Sequence, residues 1–247
     1  MVDPITRVLL AVTKHLPLPH KVKWKVGMRD EVSFWNGHMA KHYRPDSSGA
    51  YVGEALFRLD KNAPLQQQFV DLVAHCPADP IRILDVGSGP FSCLGKTIPG
   101  RTVELTAVDP LADTYAELHR KHKITPAVVP QRCDGEQLSA LFAPNTFDLA
   151  HANNCLDHSY DPVKAIQEMF ALVKPGCCVY LRHEVNVAEN ADYVGMHQWN
   201  FRPEGKEFWI SDKNRAVNVS MDELFAGKAD LQLTIVGKMM INIIRKR

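Results

Sequence analysis

The chain has 247 residues, long enough for one complete α/β domain, and its 45% hydrophobic and 23% charged content is typical of a globular protein. Its 29 lysines and arginines nearly balance its 28 aspartates and glutamates, so no overall charge indicates nucleic-acid binding. No apolar run approaches the roughly 18 residues of a membrane span, and the six cysteines show no paired metal-ligand spacing, so we expect a cytoplasmic protein with reduced thiols.

The first 62 residues have the least regular pattern and are mildly basic. A short helix-like stretch precedes Pro17, and apolar residues predict a helix over 29–43 and another over 64–76. Residues 1–62 have two compatible interpretations. They form a lid over a binding site, with a basic rim for an anionic ligand, or a helical cap packed on the main domain.

A strand followed by a glycine turn comes next. Residues 81–86 are a short apolar run typical of a buried parallel strand, interrupted by Asp85, and the segment 87–89 reads Gly-Ser-Gly. A backbone without Cβ lets a ligand approach closely, and doubly wound α/β domains bind nucleotides at such turns. The dinucleotide fingerprint also requires a glycine at position 92, where this chain has Ser92.

Acidic residues follow the next predicted elements. A strand over 103–108 is followed by Asp109, close to the spacing of about 20 residues at which dinucleotide folds place a ribose-binding carboxylate. The alternative is a solvated aspartate at a strand end. The pattern then predicts a helix over 112–122 and a weak strand over 127–130, and Asp134 begins a further helical segment.

The second half of the chain continues the alternation of strands and helices. A strand begins at Phe147, and Asp161-Pro162 is typical of a helix N-cap followed by proline at the first helical position. A long aromatic connection over 186–205 separates this region from the end of the chain. The remaining predictions are strands over 177–184, 231–236 and 240–244, and a hairpin within 207–219.

Four stretches resemble, in order and spacing, the motifs of the class I S-adenosylmethionine-dependent methyltransferases of the type 11 group. They are the segment 85–91 (Asp-Val-Gly-Ser-Gly-Pro-Phe), Asp109, the segment 131–138 and the strand at Phe147. Phe91 replaces the third glycine of the family motif. The resemblance implies a Rossmann-like, doubly wound α/β fold. Its seven-stranded sheet would be mostly parallel with an antiparallel C-terminal strand, and helices would cover both faces.

The resemblance also implies S-adenosyl-L-methionine as the cofactor. The residues that it assigns to cofactor binding are Asp85, Gly87, Ser88, Gly89, Asp109, Pro110, Asp134, Gly135, Glu136 and Asn153. Asp109 corresponds to the ligand of the ribose hydroxyls and Asp134 to the ligand of the adenine amino group. A capping box with Gln137 is an alternative explanation of Asp134.

Three histidines near strand ends are candidates for a general base, and they are His158, His183 and His197. A histidine in such a position is more often a structural hydrogen-bonding residue. An alternative divalent-metal site comprises Asp157, His158, Asp161 and Glu184, but Asp161 is better explained as an N-cap. We therefore expect no metal.

The resemblance predicts methyl transfer to oxygen of a small-molecule acceptor, such as a sugar or another metabolite, by in-line displacement. It predicts neither nucleic-acid nor membrane partners. Residues 1–62 would form a cap or lid, and 63–247 the catalytic domain with a substrate-side insertion at about 186–220. The alternatives are a nicotinamide- or nucleotide-sugar-dependent Rossmann enzyme and a catalytically silent cofactor-binding protein.

Overall fold

Three helices precede the first strand in the part of the chain that the computed structural model describes, which is residue 16 and residues 18–44 and 47–247. They are α1 (His20–His42), α2 (Val52–Leu59) and α3 (Gln67–Val73). The predicted start of the first helix at residue 29 is wrong. The lysines at 21, 23 and 25 alternate with apolar residues, and this spacing hides the helical period. The helix-like stretch before Pro17 lies outside the described residues.

The strands of the described residues form a large and a small sheet. They are β1 (Ile81–Val86), β2 (Val103–Asp109), β3 (Gln131–Arg132), β4 (Phe147–Asn153), β5 (Val173–Glu184), β6 (Asn200–Glu204), β7 (Glu207–Ser211), β8 (Asn218–Ser220), β9 (Ala229–Val236) and β10 (Met239–Lys246). The large sheet has the order β3-β2-β1-β4-β5-β10-β9. Strands β1 to β5 pair in parallel, and β10 is antiparallel to both of its neighbours. The predicted seven-stranded sheet with an antiparallel C-terminal strand is confirmed.

The order of the parallel strands reverses between β1 and β4, because the chain moves from β1 outward to β2 and β3 and then returns to the other side. Ligands of open α/β sheets bind beyond the carboxyl ends of the strands at such a switch point. The segments that follow β1, β2 and β4 therefore meet where a ligand is expected.

Two helices connect successive parallel strands of the large sheet and pack against it. Helix α4 (Ala112–His122) lies between β2 and β3, and α5 (Pro162–Leu172) lies between β4 and β5. The Asp161 side chain accepts a 2.9 Å hydrogen bond from the Lys164 amide, which confirms the predicted N-cap with Pro162 at the first helical position. None of the described helices is long and apolar enough to cross a membrane.

The small sheet occupies the segment in which a hairpin was predicted. Strands β6, β7 and β8 pair in antiparallel fashion, flanked by the short helices α6 (Val187–Asn190) and α7 (Met221–Leu224). Helix α1 packs directly on the connection before β6, where a Cβ atom on Gly27 would collide with Met196. The first helix and the insertion therefore lie on the same side of the molecule.

Two predictions near β3 are wrong. The strand expected over 127–130 is a loop with Val129 exposed, and pairing with β2 begins only at Gln131. Asp134 precedes a 3-10 helix (Gly135–Ala140), but within the described chain its side chain makes no capping hydrogen bond. Instead it accepts a 3.2 Å hydrogen bond from the Tyr160 hydroxyl.

Phe91, which stands at the third glycine position of the family motif, belongs to a second apolar core. Its ring stacks on Tyr43, with 4.3 Å between the ring centroids and 13° between the planes. The Arg58 guanidinium donates a 2.8 Å hydrogen bond to the Phe91 carbonyl. This core also contains residues of α1, α2 and α4. The phenylalanine therefore fastens the first two helices to the turn after β1.

We expect Phe91→Ala to lower the free energy of unfolding by about 3–5 kcal/mol, because a fully buried ring is removed from a close-packed core. Relative to the unaltered protein, amide hydrogen exchange should accelerate more in α1 than in the large sheet. Urea denaturation and exchange monitored by mass spectrometry measure the two effects. Phe34→Ala, on the exposed face of α1, is the control and should change stability by no more than about 0.5 kcal/mol. Unchanged exchange in α1 of Phe91→Ala would contradict the assignment.

Candidate functional site

A cavity of about 570 Å³ lies beyond the carboxyl ends of β1, β2 and β4. Helices α1 and α2 cover it, and Met196 and His197 close one side. Two of the three candidate bases, His158 and His197, face it; Asp134 and His183 are not among the described residues of its wall. The predicted cofactor residues that line it are Asp85, Gly87, Ser88, Gly89, Asp109, Pro110, Gly135, Glu136 and Asn153.

The glycine turn has a conformation that requires its glycines. Gly87 and Gly89 have φ angles of +65° and +63°, where a side chain is strained. A Cβ atom on Gly87 would lie 2.6 Å from Cys155 Sγ, so the turn also packs against the loop after β4. The Gly87 amide donates to the Val108 carbonyl at 2.9 Å, which ties the turn to β2.

Asp109 fixes the other side of the turn. One carboxylate oxygen accepts a 3.0 Å hydrogen bond from the Gly89 amide, and the other accepts a 2.8 Å bond from the Leu111 amide. Burial raises the pKa of this carboxyl to about 7, although both amide bonds act in the opposite direction. Each oxygen retains a second lone pair, and the side chain lines the cavity. Asp109 can therefore accept two further hydrogen bonds from a ligand.

Asp85 is only 2% exposed, and its charge is compensated inside the protein. It accepts a 2.6 Å hydrogen bond from the Ser92 hydroxyl, and its other oxygen lies 2.7 Å from His151 Nδ1. A glycine at position 92, as in the dinucleotide fingerprint, would remove the hydroxyl donor. Ser92 therefore serves the carboxylate at the end of β1.

Glu136 holds the loop after β4 to the edge of the cavity. Its carboxylate accepts hydrogen bonds from the backbone amides of Tyr160 and Asp161 at 2.9 and 3.0 Å. Burial raises its pKa to about 7. Asp134 bonds the Tyr160 hydroxyl outside the cavity, so these two acidic residues stabilise one loop together.

A lid formed by residues 1–62 was one of two interpretations of the sequence, but no residue of α1 was assigned to the cavity wall. Trp35 lies above the glycine turn, 3.1 Å from where a Cβ atom of Gly89 would stand, and its indole N–H donates a 2.8 Å bond to Glu31. Both side chains line the cavity. The available signal was a tryptophan four residues after a carboxylate on a predicted helix. No local pattern indicated that Trp35 lies above the glycine turn.

Two of the candidate histidines converge on one carboxylate. His197 Nδ1 lies 2.7 Å from Asp157 Oδ2 and 3.2 Å from His158 Nε2, and His158 Nε2 lies 3.4 Å from the same carboxylate oxygen. Burial opposes the charge of Asp157, but the two histidines outweigh it and lower the pKa of the aspartate to about 2. Burial also lowers the pKa of His197, and Asp157 more than reverses this, so that the pKa is raised.

His183 has a different environment. Its side chain is completely buried and stacks on Phe201, with 4.2 Å between ring centroids. Neither ring nitrogen has a hydrogen-bond partner within the described part of the protein, and burial lowers its pKa to about 4. The structure also separates Asp161, which caps α5, and Glu184, which pairs with Lys238, from Asp157 and His158.

Comparison with known proteins identifies the region that contains the glycine turn. A family model for a methyltransferase domain matches residues 84–181. An uncharacterized methyltransferase of Schizosaccharomyces pombe is 33% identical over 107 residues, which cover 39% of this chain and 38% of the relative. A ubiquinone biosynthesis O-methyltransferase of Albidiferax ferrireducens is 29% identical over 119 residues, or 47% and 46% of the two chains. The chain thus matches less than half the length of these relatives.

A solved structure resembles this chain over most of its length. The 1,6-didemethyltoxoflavin-N1-methyltransferase of Burkholderia thailandensis, crystallised with 1,6-didemethyltoxoflavin and S-adenosylhomocysteine, is 19% identical to it. The alignment covers 94% of this chain and 91% of that chain, with a TM-score of 0.46.

We expect Gly87→Ala to destabilise the protein by about 2–4 kcal/mol, because it combines a strained positive φ with overpacking against Cys155. Gly205→Ala is a matched control, since Gly205 has a φ of +63° and open space around it. It should cost only the strain, about 1–2 kcal/mol. Urea denaturation of both variants measures the difference, and equal losses would show that the contact with Cys155 is unimportant.

Proposed function

We propose that this chain, whose residues 84–181 match a family model for a methyltransferase domain, is a class I S-adenosylmethionine-dependent methyltransferase that transfers the methyl group to oxygen of a small-molecule acceptor. The observation that carries the proposal is the pair of buried carboxylates, Asp85 and Asp109, at the ends of adjacent parallel strands with the glycine turn between them. The chain's activity, acceptor and partners are proposed here on that basis.

The donor side of the cavity fits S-adenosylmethionine. When bound, this cofactor supplies an electrophilic methyl group on a positively charged sulfur and departs as a neutral thioether. The free lone pairs of Asp109 suit vicinal ribose hydroxyls, and the backbone of the turn at 87–89 permits close approach. Gly135 and Glu136 border the region assigned to adenine, and Asn153 lies at the end of β4.

The same features disfavour a nicotinamide or nucleotide-sugar cofactor. Both require a pyrophosphate near the glycine turn, where Asp85 would place a negative charge beside another. Ser92 keeps that carboxylate hydrogen-bonded, whereas the dinucleotide fingerprint has glycine there. A sulfonium group and an amino acid tail with a cationic amine are electrostatically better matched to this wall.

The acceptor side supports a flat or ring-shaped small molecule with a hydroxyl group. Trp24, Phe34, Trp35 and Tyr51 line the cavity opposite the strand ends. His158 and His197, which contact Asp157, contribute polar groups to that wall. The relatives named as ubiquinone biosynthesis O-methyltransferases also support oxygen as the acceptor atom.

The chain's contribution to catalysis is chiefly positioning. Holding the acceptor oxygen about 3 Å from the methyl carbon and in line with its bond to sulfur accounts for roughly 7–11 kcal/mol of barrier reduction. The O–H proton leaves toward the cluster of Asp157, His158 and His197 as the O–C bond forms. The turn at 87–89 and Asp109 would hold the bound cofactor, which keeps the electron pair of the C–S bond and leaves as a neutral thioether. We assign this acceptor-side role to His158 and His197, and a packing role to His183.

We further propose that residues 1–62 form a lid on a catalytic domain at 63–247, and that the insertion at about 186–220 contacts the acceptor. Helices α1 and α2 and the segment around His197 border the cavity, which supports this division. We also propose that the protein does not bind nucleic acid, which its near-neutral charge supports. A cytoplasmic location is supported by its six free thiols.

We expect the protein to bind S-adenosylhomocysteine but not NAD in calorimetry. Asp109→Asn should raise the Kd for S-adenosylhomocysteine by about 10- to 100-fold, because hydrogen bonds to a charged group are lost. Asp113→Asn, at an exposed carboxylate early in α4, is the matched control and should leave the Kd unchanged. Binding of NAD with no binding of S-adenosylhomocysteine would overturn the proposed cofactor.

Turnover is tested with radiolabelled S-adenosylmethionine and a panel of phenolic, sugar and other hydroxylated acceptors. His158→Gln should lower kcat by about 100-fold or more with the Kd for S-adenosylhomocysteine unchanged, since it changes the acceptor side alone. His75→Gln, at an exposed histidine outside the cavity, should keep full activity. Cofactor binding without turnover on any acceptor would favour a catalytically silent protein.

A further inference from the structure

The cluster of Asp157, His158 and His197 has the geometry of a metal site. Its three converging atoms, Asp157 Oδ2, His158 Nε2 and His197 Nδ1, form a triangle with sides of 2.7, 3.2 and 3.4 Å. Donors bound at ~2.1 Å stand ~3.4 Å apart in a tetrahedral site and ~3.0 Å apart in an octahedral site. The sides of 3.2 and 3.4 Å match these separations, and the 2.7 Å side is a hydrogen bond between His197 and Asp157 that would lengthen by about 0.3 Å or more around one ion.

Hydrogen bonds alone leave this cluster incompletely satisfied. Both imidazoles aim a nitrogen at the same carboxylate oxygen, and only the contact from His197 is a close hydrogen bond. The other oxygen, Asp157 Oδ1, is buried and has no partner among the described residues, although the side chain is 0% exposed. A buried carboxylate oxygen without a donor is costly, and a cation bound at Oδ2 would offset part of that cost by attracting the charge of the whole carboxylate.

We propose that Asp157, His158 and His197 bind one divalent transition-metal ion, with Zn²⁺ as the best-matched candidate. Two imidazoles and one carboxylate are the donor set of catalytic zinc sites and also of non-haem iron sites, whereas Mg²⁺ and Ca²⁺ prefer oxygen ligands alone. His158 and His197 face the cavity, so the remaining coordination position opens toward the acceptor. The assignment rests on the proposed function at one point only, which is that the methyl acceptor occupies the open coordination position.

The surroundings of the three ligands support the assignment. Asp157 and His158 lie in a 3-10 helix (Leu156–His158) directly after β4, and His197 is held beside them by the insertion. Glu31 Oε2 lies 3.9 Å from His158 Nδ1, the ring nitrogen that faces away from the cluster. Metal-bound histidines commonly present that second nitrogen to a carboxylate. At 3.9 Å this contact is longer than a hydrogen bond, so helix α1 places a carboxylate near the outer side of the site.

An ion in this place would act on the acceptor rather than on the methyl donor. With an ion bound, His158 and His197 are ligands rather than bases, and an acceptor hydroxyl on the cation loses its proton to water more readily, because the cation stabilises the oxygen anion. The resulting oxygen is a better nucleophile for the methyl group. The site thereby selects acceptors with a hydroxyl that can coordinate, and a neighbouring oxygen on the acceptor would bind more tightly still.

Two other groups of histidine, cysteine and aspartate in the described structure are weaker candidates. In the first, His75 Nε2 already bonds the Gly176 carbonyl, and the group lies outside the cavity. In the second, Asp85 is satisfied by Ser92 and His151. Neither group leaves a buried carboxylate oxygen without a partner.

The test uses the full chain, stripped with a chelator and titrated with Co²⁺, whose visible absorption reports tetrahedral nitrogen and oxygen ligation, and then with Zn²⁺ in competition. We expect one ion per chain. His197→Gln and His158→Gln should each weaken binding by at least ~100-fold, and Glu31→Gln by about 10-fold, since an outer partner costs less than a ligand. His75→Gln is the control for the first alternative group and should bind as the unaltered chain does.

Metal binding is measured in the absence of methyl donor and acceptor, and S-adenosylhomocysteine binding is then measured on the same samples. Metal binding with no S-adenosylhomocysteine binding would support the site and count against the proposed function. No Co²⁺ binding by a folded protein that still binds S-adenosylhomocysteine would overturn the metal site alone. Binding that survives His197→Gln but is lost in His75→Gln would also overturn it.

Discussion

The carboxylate of Asp109 is the interaction on which the arrangement of the cavity depends. It takes the amide of Gly89 on one oxygen and the amide of Leu111 on the other, so that one side chain joins the turn after β1 to the loop before α4. A buried carboxyl group is tolerated only when its oxygens are hydrogen-bonded. The two amides meet that requirement and leave lone pairs directed to the cavity. The same group therefore shapes the turn and, in the proposed function, also accepts hydrogen bonds from a nucleoside.

The turn after β1 departs from two glycine patterns, and neighbouring residues explain both departures. Ser92 stands at the third glycine of the dinucleotide fingerprint, and Phe91 at the third glycine of the methyltransferase motif. Ser92 donates to Asp85, which together with His151 keeps that carboxylate buried and ordered. Phe91 packs against Tyr43, so the turn is also the attachment point of the first helices. A third glycine would make the turn more flexible and would leave those helices without their apolar anchor. At each of the two positions a side chain replaces a flexible glycine and makes a contact with another residue, Ser92 with Asp85 and Phe91 with Tyr43.

The sequence predicted the sheet well because buried parallel strands are short, apolar runs whose signal is local. The order of elements and the cap at Asp161 follow from such local patterns, whereas the seven-stranded sheet with its antiparallel C-terminal strand was predicted from the family resemblance. The start of α1 and the position of β3 do not follow from local patterns. Packing against Met196 decides the first, and pairing with only two residues of β2 decides the second. The meeting of His158 with His197 was also hidden, since it depends on how the insertion folds back. His183 illustrates the converse: its place at the end of a strand says nothing about its burial beside Phe201.

The two sides of the cavity come from different parts of the chain, and this division bears on specificity. The wall assigned to the methyl donor lies within residues 84–181, where the sequence matches the methyltransferase-domain family. Much of the opposite wall comes from α1, α2 and the segment around His197, which lie outside that match. The cofactor's chemistry is constant, so its wall has little freedom to vary. The proposed acceptor wall is attached by several contacts, among them Phe91 with Tyr43 and Lys121 with Asn36, so we expect changes at its cavity-facing positions to alter acceptor specificity more than the turn. Asp157 and His158 stand at the boundary between the two walls, and for that reason a ligand held there meets both reactants.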